Sequence, residues 1–248
     1  MTLAMISADQ YVKVGQINTR FWTSGDKGTA VILIHGLGGS VENWMFNIET
    51  LAQRHRVYAI DLAGSGRSDK PRVSFTFPYG AQFVNDFMEV QCIEQASLIG
   101  HSMGGAVAIR FAVQFPGKLD KLVLVSSAGL GRELGFTLRL ATLPFVGELL
   151  TLPSLKGTAL SMKHSVYDSS LITEELVESS YRLADLPGAQ KYFLSTLREL
   201  ASFRGQYADN ILPILNNLGT ITAPTLIIWG QQDRILPVNH AYVAQKNS

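Results

Sequence analysis

Ser102 sits in the pentapeptide Gly100-His101-Ser102-Met103-Gly104, directly after the apolar run Ala96-Ser97-Leu98-Ile99 and directly before a helix-like stretch from Gly105 to Phe115. A serine hydroxyl is a poor nucleophile in water. It becomes a useful one when a tight turn holds it clear of the backbone, beside donors that stabilise a developing oxyanion. Small residues at Gly100 and Gly104 permit such a turn. The bare Gly-x-Ser-x-Gly pattern arises by chance in roughly one chain in ten of this length at ordinary Gly and Ser usage. A strand before it and a helix after it make it far more specific. The chemistry it suits is attack on a carbonyl carbon.

Ligands of open α/β sheets bind beyond the carboxyl ends of the strands, so the residues that follow each short apolar run matter most. After Ile34 comes His35-Gly36-Leu37-Gly38-Gly39, whose glycines let backbone amides approach a negative oxygen; the Leu37 amide is the candidate donor. The Met103 amide, at the start of the helix after Ser102, is the candidate second donor. After Ile60 comes the polar turn Asp61-Leu62-Ala63-Gly64-Ser65-Gly66-Arg67-Ser68, expected to shape the strand exit. After Trp229 comes Gly230-Gln231-Gln232-Asp233, a carboxylate just past a strand end.

The elements that must position these residues are legible as alternation. Ala30–Ile34, Val57–Ile60, Ala96–Ile99, Leu122–Val125 and Thr225–Trp229 are near-continuous Val, Ile and Leu, the pattern of strands buried on both faces. Helix-length segments around Trp44–Gln53, Gly80–Glu94 and Gly105–Phe115 lie between them, which gives an α/β fold with a mainly parallel sheet. Gln10–Val14 and Gln16–Trp22 suit a leading hairpin turned at Gly15, and Pro237–Lys246 suits a closing helix. From about Gly129 to Tyr207 no buried strand is expected. Helical pieces punctuated by Pro144, Pro153, Gly157, Pro187 and Gly188 read as an insertion.

At 248 residues the chain is most simply one domain carrying that insertion. Lys plus Arg is 21 and Asp plus Glu is 20, so a net charge of +1 gives no reason to expect nucleic acid as a partner. One cysteine, Cys92, excludes an intrachain disulfide and a multi-cysteine metal site; it is expected as a small buried side chain on a helix. No signal peptide or membrane span is evident, so a cytoplasmic protein without stable membrane insertion is the default. No metal or cofactor is expected, and the oligomeric state is not legible.

With these segments in this chain order, the sequence resembles the α/β-hydrolase fold family from about Val12 to its last residue. The motifs that carry the resemblance are His35-Gly36 with its glycines, Gly100-His101-Ser102-Met103-Gly104-Gly105, and Trp229-Gly230-Gln231-Gln232-Asp233 followed by Pro237. The resemblance implies residues 1–128 and 208–248 as core and 129–207 as a helical cap. It implies Ser102 as nucleophile, Asp233 as the acid that orients a base, and the Leu37 and Met103 amides as oxyanion hole. His35, Gly36, Gly38, Gly100, His101 and Gly104 are implied to support loop geometry. Serine at the elbow argues against the dehalogenase branch, which uses aspartate there.

The family's order of serine, acid, histidine leaves a gap here. Of the five histidines, His35, His55, His101, His164 and His240, only His240 follows Asp233, and it falls in the closing helix, where a surface position is expected. His55 is expected to be solvated and His164 to belong to the cap. The expectation is therefore that the chain is a C-terminally truncated fragment, lacking its last strand, helix and catalytic histidine and nearly inactive as it stands. The alternatives are a base from an unexpected position, or a binding protein that has lost hydrolysis.

The insertion carries Phe136-Thr137-Leu138-Arg139-Leu140-Ala141-Thr142-Leu143-Pro144-Phe145-Val146, then Leu149, Leu150 and Leu152. Apolar cap walls favour acyl or aromatic substrates, although packing against the main domain is the simpler use for most of these side chains. A membrane-surface role is the lesser reading. The activity implied is cofactor-independent hydrolysis of a small-molecule carboxylic ester, esterase- or lipase-like, through an acyl-enzyme. The alternative is carbon-carbon bond hydrolysis of ring-cleavage products, in whose hydrolases Asn43-Trp44 also occurs.

Overall fold

The structure is a computed structural model that describes residues 8–247; Met1 to Ser7 and Ser248, the outer ends of the expected core, lie outside the described residues. A hairpin of β1 (Gln10–Val14) and β2 (Ile17–Ser24) turns at Gly15, whose φ of 58° lies where side chains are strained. Then come β3 (Ala30–Ile34), α1 (Ile48–Ala52), β4 (Arg56–Ile60), α2 (Phe77–Val90), β5 (Ala96–His101), α3 (Met103–Gln114) and β6 (Leu119–Val125).

Five helices follow: α4 (Phe136–Ala141), α5 (Val146–Leu150), α6 (Leu155–His164), α7 (Glu174–Ala184) and α8 (Ala189–Leu200). A short hairpin of β7 (Ala201–Ser202) and β8 (Gly205–Gln206) comes next, then α9 (Ala208–Leu215), β9 (Thr225–Ile228) and α10 (Asn239–Asn247). The seven-stranded sheet runs β1-β2-β4-β3-β5-β6-β9, with the first two pairings antiparallel and the rest parallel.

Strand β3 shows why the sheet sits where it does. Its side chains alternate between faces, and both faces are covered. Ala30, Ile32 and Ile34 join the cluster built with Phe83, Phe87 and Phe111 of α2 and α3, while Val31 and Leu33 join Trp44 and Ile48 on the opposite side. Leu33 is fully buried, so truncating it to Ala would remove about 2–5 kcal/mol. This packing holds the carboxyl ends of β3, β4 and β5 in fixed register. Helix α2 starts before the expected Gly80 because Thr76 caps it, accepting the Tyr79 amide at 3.2 Å, and Pro78 suits its first turn.

Four expectations are corrected. The expected helix Trp44–Gln53 divides into a 3-10 turn at Val41–Trp44 and the short α1. Thr225–Trp229 was expected to be buried on both faces, yet among the described residues β9 is the sheet edge, with Leu226 and Ile228 exposed, because only β6 pairs with it there. Cys92 is exposed in the turn after α2 at φ 52°, not buried on a helix. The 129–207 region is helical apart from the β7–β8 hairpin, but Phe136, Phe145, Leu149, Leu150 and Leu152 are exposed instead of packing inward.

Candidate active site

Ser102 links β5 to α3 with φ 53° and ψ −118°, a conformation a non-glycine residue rarely adopts. Its surroundings impose that shape. The Ser102 amide donates to the Val125 carbonyl at 3.0 Å, and the Ser102 carbonyl accepts from the Gly105 and Ala128 amides, both at 2.9 Å. Two glycines let the turn close. A Cβ on Gly100 would collide with the Gly104 carbonyl, and one on Gly104 with the carbonyls of Ile34 and His35. The serine turn is thus locked against the end of β3 as well as its own helix.

The glycine loop after β3 reaches the same point. A Cβ on Gly36 would stand 3.0 Å from the Ser102 Cβ and 3.2 Å from His101 Nδ1, so loop and elbow are in contact. Gly38, at φ 70°, passes under Phe193 of α8, 2.9 Å from where its Cβ would be. The Leu37 amide has no protein acceptor among the described residues, and the Met103 amide, first in α3, has no intrahelical one.

His35 fixes this loop. It is fully buried, with Nδ1 2.7 Å from the Gly36 carbonyl and Nε2 3.1 Å from the Leu62 amide. An amide only donates, so Nε2 accepts and Nδ1–H donates, a neutral tautomer. Burial pushes its pKa down to about 4, against the weaker opposing pull of the Gly36 carbonyl.

A buried charge network braces the same loops from behind. Asp61, at the end of β4, accepts the Val41 amide at 2.8 Å and the Arg67 amide at 2.8 Å and pairs with Arg20 at 3.4 Å. Arg20 of β2 is 2% exposed and also holds Glu42 at 2.7 Å and Asp9 at 2.6 Å. Burial pushes Asp61 up to about 6, with Arg20 opposing it. The loops after β3 and β4 therefore share one anchor.

Asp233 lies half-buried in the turn after β9, where Oδ1 accepts the Ile235 and Leu236 amides at 2.8 and 2.9 Å. Its charge reaches the elbow: burial holds His101 below the usual imidazole range, and the Asp233 carboxylate opposes that shift. Among the described residues no histidine hydrogen-bonds Ser102 or Asp233. His55 meets Thr29 at 3.1 Å, His164 meets the Leu160 carbonyl at 3.0 Å, and His240 meets Glu133 at 2.8 Å.

His240 is not the surface residue expected. It is 1% exposed under Trp229, because α10 turns that side of its first turn inward, and its Nδ1 is buried without a partner. Two other residues escaped the sequence reading. Arg20 lies in an ordinary-looking strand. Gln206 is buried, bonding the Gly129 amide at 3.0 Å and the Gly131 carbonyl at 2.7 Å, and so ties the two ends of the helical insertion together. Nothing in the local sequence marks either, since their partners are distant in the chain.

Known proteins are similar to this chain in sequence and fold. An uncharacterized protein of Mycobacterium tuberculosis is 36% identical over 234 residues, 88% of this chain and 65% of the relative's length, so the present chain spans under two thirds of that protein. A 2-hydroxy-6-oxo-6-(2'-aminophenyl)hexa-2,4-dienoic acid hydrolase of Metapseudomonas resinovorans is 30% identical over 94% of this chain and 78% of its own. The solved meta-cleavage product hydrolase of Pseudomonas fluorescens IP01 superposes with a TM-score of 0.81 at 25% identity, covering 98% of this chain and 86% of that one. The family model for the alpha/beta hydrolase fold matches residues 29–247. That match takes in the sheet from β3 onward, the serine turn and the Asp233 turn together, and the chain belongs to the α/β-hydrolase fold family.

Proposed function

We propose that this protein is a serine hydrolase that cleaves carboxylic esters of apolar acyl or aromatic substrates through an acyl-enzyme. Ser102 Oγ attacks the ester carbonyl, the amides of Leu37 and Met103 receive the oxyanion, and the tetrahedral intermediate collapses with loss of the alcohol. Water then releases the acid from Ser102. Asp233 orients the base that takes and returns the proton. His35, His55, His164 and His240 are each bonded elsewhere, and no histidine hydrogen-bonds Ser102 or Asp233 among the described residues, so we assign the base to a residue other than these. Residues 129–207 act as a cap over the elbow.

The observation that carries the reading is the Ser102 backbone at φ 53°, held on the Val125 carbonyl with Gly36 against its side. Strain of this kind persists only where the surroundings over-determine it, and it presents the side chain outward from the turn.

A second reading, hydrolysis of a carbon-carbon bond in a ring-cleavage product, is favoured by the names of the relatives. Esters make the smaller demand. An alkoxide leaves with one proton from the base, whereas a carbon leaving group also needs its developing carbanion stabilised. The test is a panel of p-nitrophenyl esters set against a ring-cleavage dienoate, run on the product of the whole reading frame. Turnover of short and medium acyl esters that is lost in Ser102→Ala is expected. Preference for the dienoate overturns the ester assignment, and esterase activity retained by Ser102→Ala overturns the nucleophile.

A further inference from the structure

We propose that α8 is a gate, a helix that rests on the loops after β3 and β4 without a polar bond and lifts from them as part of a braced, hinged insertion. This goes beyond the ester reading and does not depend on it. The contact is close. The Tyr192 ring occupies the space a Gly64 Cβ would take, and the Phe193 ring stands 2.9 Å from where a Gly38 Cβ would be, so both loops receive the helix at a glycine. Gly38 follows Leu37, so α8 lies over the loop that carries the candidate oxyanion amide.

Two hydroxyls on α8 go unsatisfied in that contact. Tyr192 Oη and Thr196 Oγ1 are buried without a hydrogen-bond partner, on residues that are 8% and 2% exposed. Their spacing of four sets them one turn apart on one face of the helix. Of the five buried side-chain polar atoms without partners among the described residues, two are therefore neighbours on this single helix. A buried donor without an acceptor weighs against the state that buries it by a factor of about five or more, and water satisfies it as soon as the helix lifts. Apolar contact closes the gate, and the orphaned hydroxyls favour its opening.

No polar latch offsets this. Among the described residues, no hydrogen bond or ion pair joins α8 to the loops after β3 and β4. Its bonding side chains turn back into the insertion. Arg198 donates to the Thr142 and Leu143 carbonyls at 3.1 and 3.2 Å and pairs with Glu148 at 2.7 Å, while Gln190 donates to the Glu148 carbonyl at 2.7 Å. The charged groups of the loop after β4 are likewise held on the core side. Arg67 pairs with Asp9 at 2.8 Å, Asp69 accepts the Asn18 amide at 2.8 Å, and Lys70 donates to the Gly66 carbonyl at 3.0 Å. A groove of about 290 Å³ opens between this loop and Leu186-Pro187, just ahead of α8.

The bonds that do fasten the insertion lie at its base. Gln206 ties its two ends together, Glu133 meets His240 of α10 at 2.8 Å, and the Gly135 amide donates to the Ile235 carbonyl at 2.8 Å. Helix α8 itself is fastened only at its last turn, where the Asn210 side chain donates to the Glu199 carbonyl at 3.2 Å. Tyr192, Phe193 and Thr196 all precede that point. A body braced inside, fastened at one end and in apolar contact at the other has the build of a hinged lid.

Hydrogen exchange read by mass spectrometry tests the proposal. In the unaltered chain, amides of residues 36–39, 62–66 and 189–196 are expected to exchange faster than those of β5 and α3, at rates that low urea leaves unchanged, the mark of local opening. Tyr192→Phe combined with Thr196→Val keeps the side-chain shapes and removes only the orphaned hydroxyls. That double variant is expected to slow exchange in the three segments about tenfold or more. Ser195→Ala is the control, since its hydroxyl is satisfied by the Tyr192 carbonyl at 2.9 Å, and no slowing is expected from it. Exchange of the three segments only at the rate of β5 overturns the gate, because they would then open only with the whole fold. So do rates unchanged or raised in the double variant, or an equal slowing by Ser195→Ala, which would trace the effect to the helix and not to the orphaned hydroxyls.

Discussion

Gly36 and Ser102 touch: a Cβ on the glycine would lie 3.0 Å from the serine Cβ, so the loop after β3 and the turn after β5 form one packed unit. Gly104 completes the unit, with no room for a side chain against the carbonyls of Ile34 and His35. Gly104→Ala should therefore destabilise the fold by about 1–3 kcal/mol, the usual effect of forcing a methyl into a filled space. Gly117 has nothing within 4 Å of its Cβ position and no positive φ. Gly117→Ala should be neutral or stabilising by about 0.4–1 kcal/mol. Urea denaturation of the two variants checks this contrast, and equal midpoints would show that the elbow has slack.

His35 makes the fold acid-sensitive in a defined window. Its folded pKa is pushed down to about 4 from the ordinary 6.5, so between those values the unfolded chain binds the extra proton. The stability this imidazole contributes is fully present above pH 6.5 and is lost as pH falls toward 4. His35→Phe should cost about 2 kcal/mol at neutral pH by leaving the Leu62 amide and Gly36 carbonyl unpartnered. It should also flatten the stability profile between pH 6.5 and 4. An unchanged profile in that variant would move the titration to another group.

The Arg20–Asp61 pair predicts the opposite trend. Asp61 sits at about 6 in the fold against 3.8 ordinarily, so its burial weighs against stability above pH 6 and is relieved on protonation. Removing Arg20 takes away the cation that opposes this rise. Arg20→Met should lose about 3–5 kcal/mol at pH 8, as expected when one partner of a buried pair is deleted. Part of that loss should return by pH 5, as Asp61 protonates. The difference in unfolding free energy between variant and unaltered chain across this range is the measurement. A difference that grows on acidification would contradict the role given to Asp61.

The sheet was legible because parallel strands buried on both faces are written as runs of Val, Ile and Leu, and the serine turn because its glycines are forced by backbone contacts. What was not legible depends on distance. β9 reads as a central strand by composition, but its exposure is set by which strands pair with it. Cys92 reads as helical until α2 stops at Val90 and the chain turns at positive φ. His240 has a surface-like position in sequence, and only the fold brings Trp229 and Glu133 onto it. Arg20 and Gln206 carry no local signal, because each bonds to residues many positions away.

The histidine placement gives the sharpest prediction for activity. Ser102 lacks an imidazole partner among the described residues, and in a serine triad removing the base alone can lower turnover on the order of a millionfold, as in subtilisin. The 248-residue chain should therefore hydrolyse p-nitrophenyl butyrate at close to the background rate, and Ser102→Ala should leave that rate unchanged. His240 is the internal competitor, since it is the only histidine beyond Asp233. Its Nε2 is occupied by Glu133 at 2.8 Å and its Nδ1 is buried without a partner, so neither nitrogen is placed to reach a hydroxyl. His240→Gln should then change stability without changing the esterase rate. A clear activity of the 248-residue chain that falls in both Ser102→Ala and His240→Gln would make His240 the base, and the assignment of that role to another residue would fail.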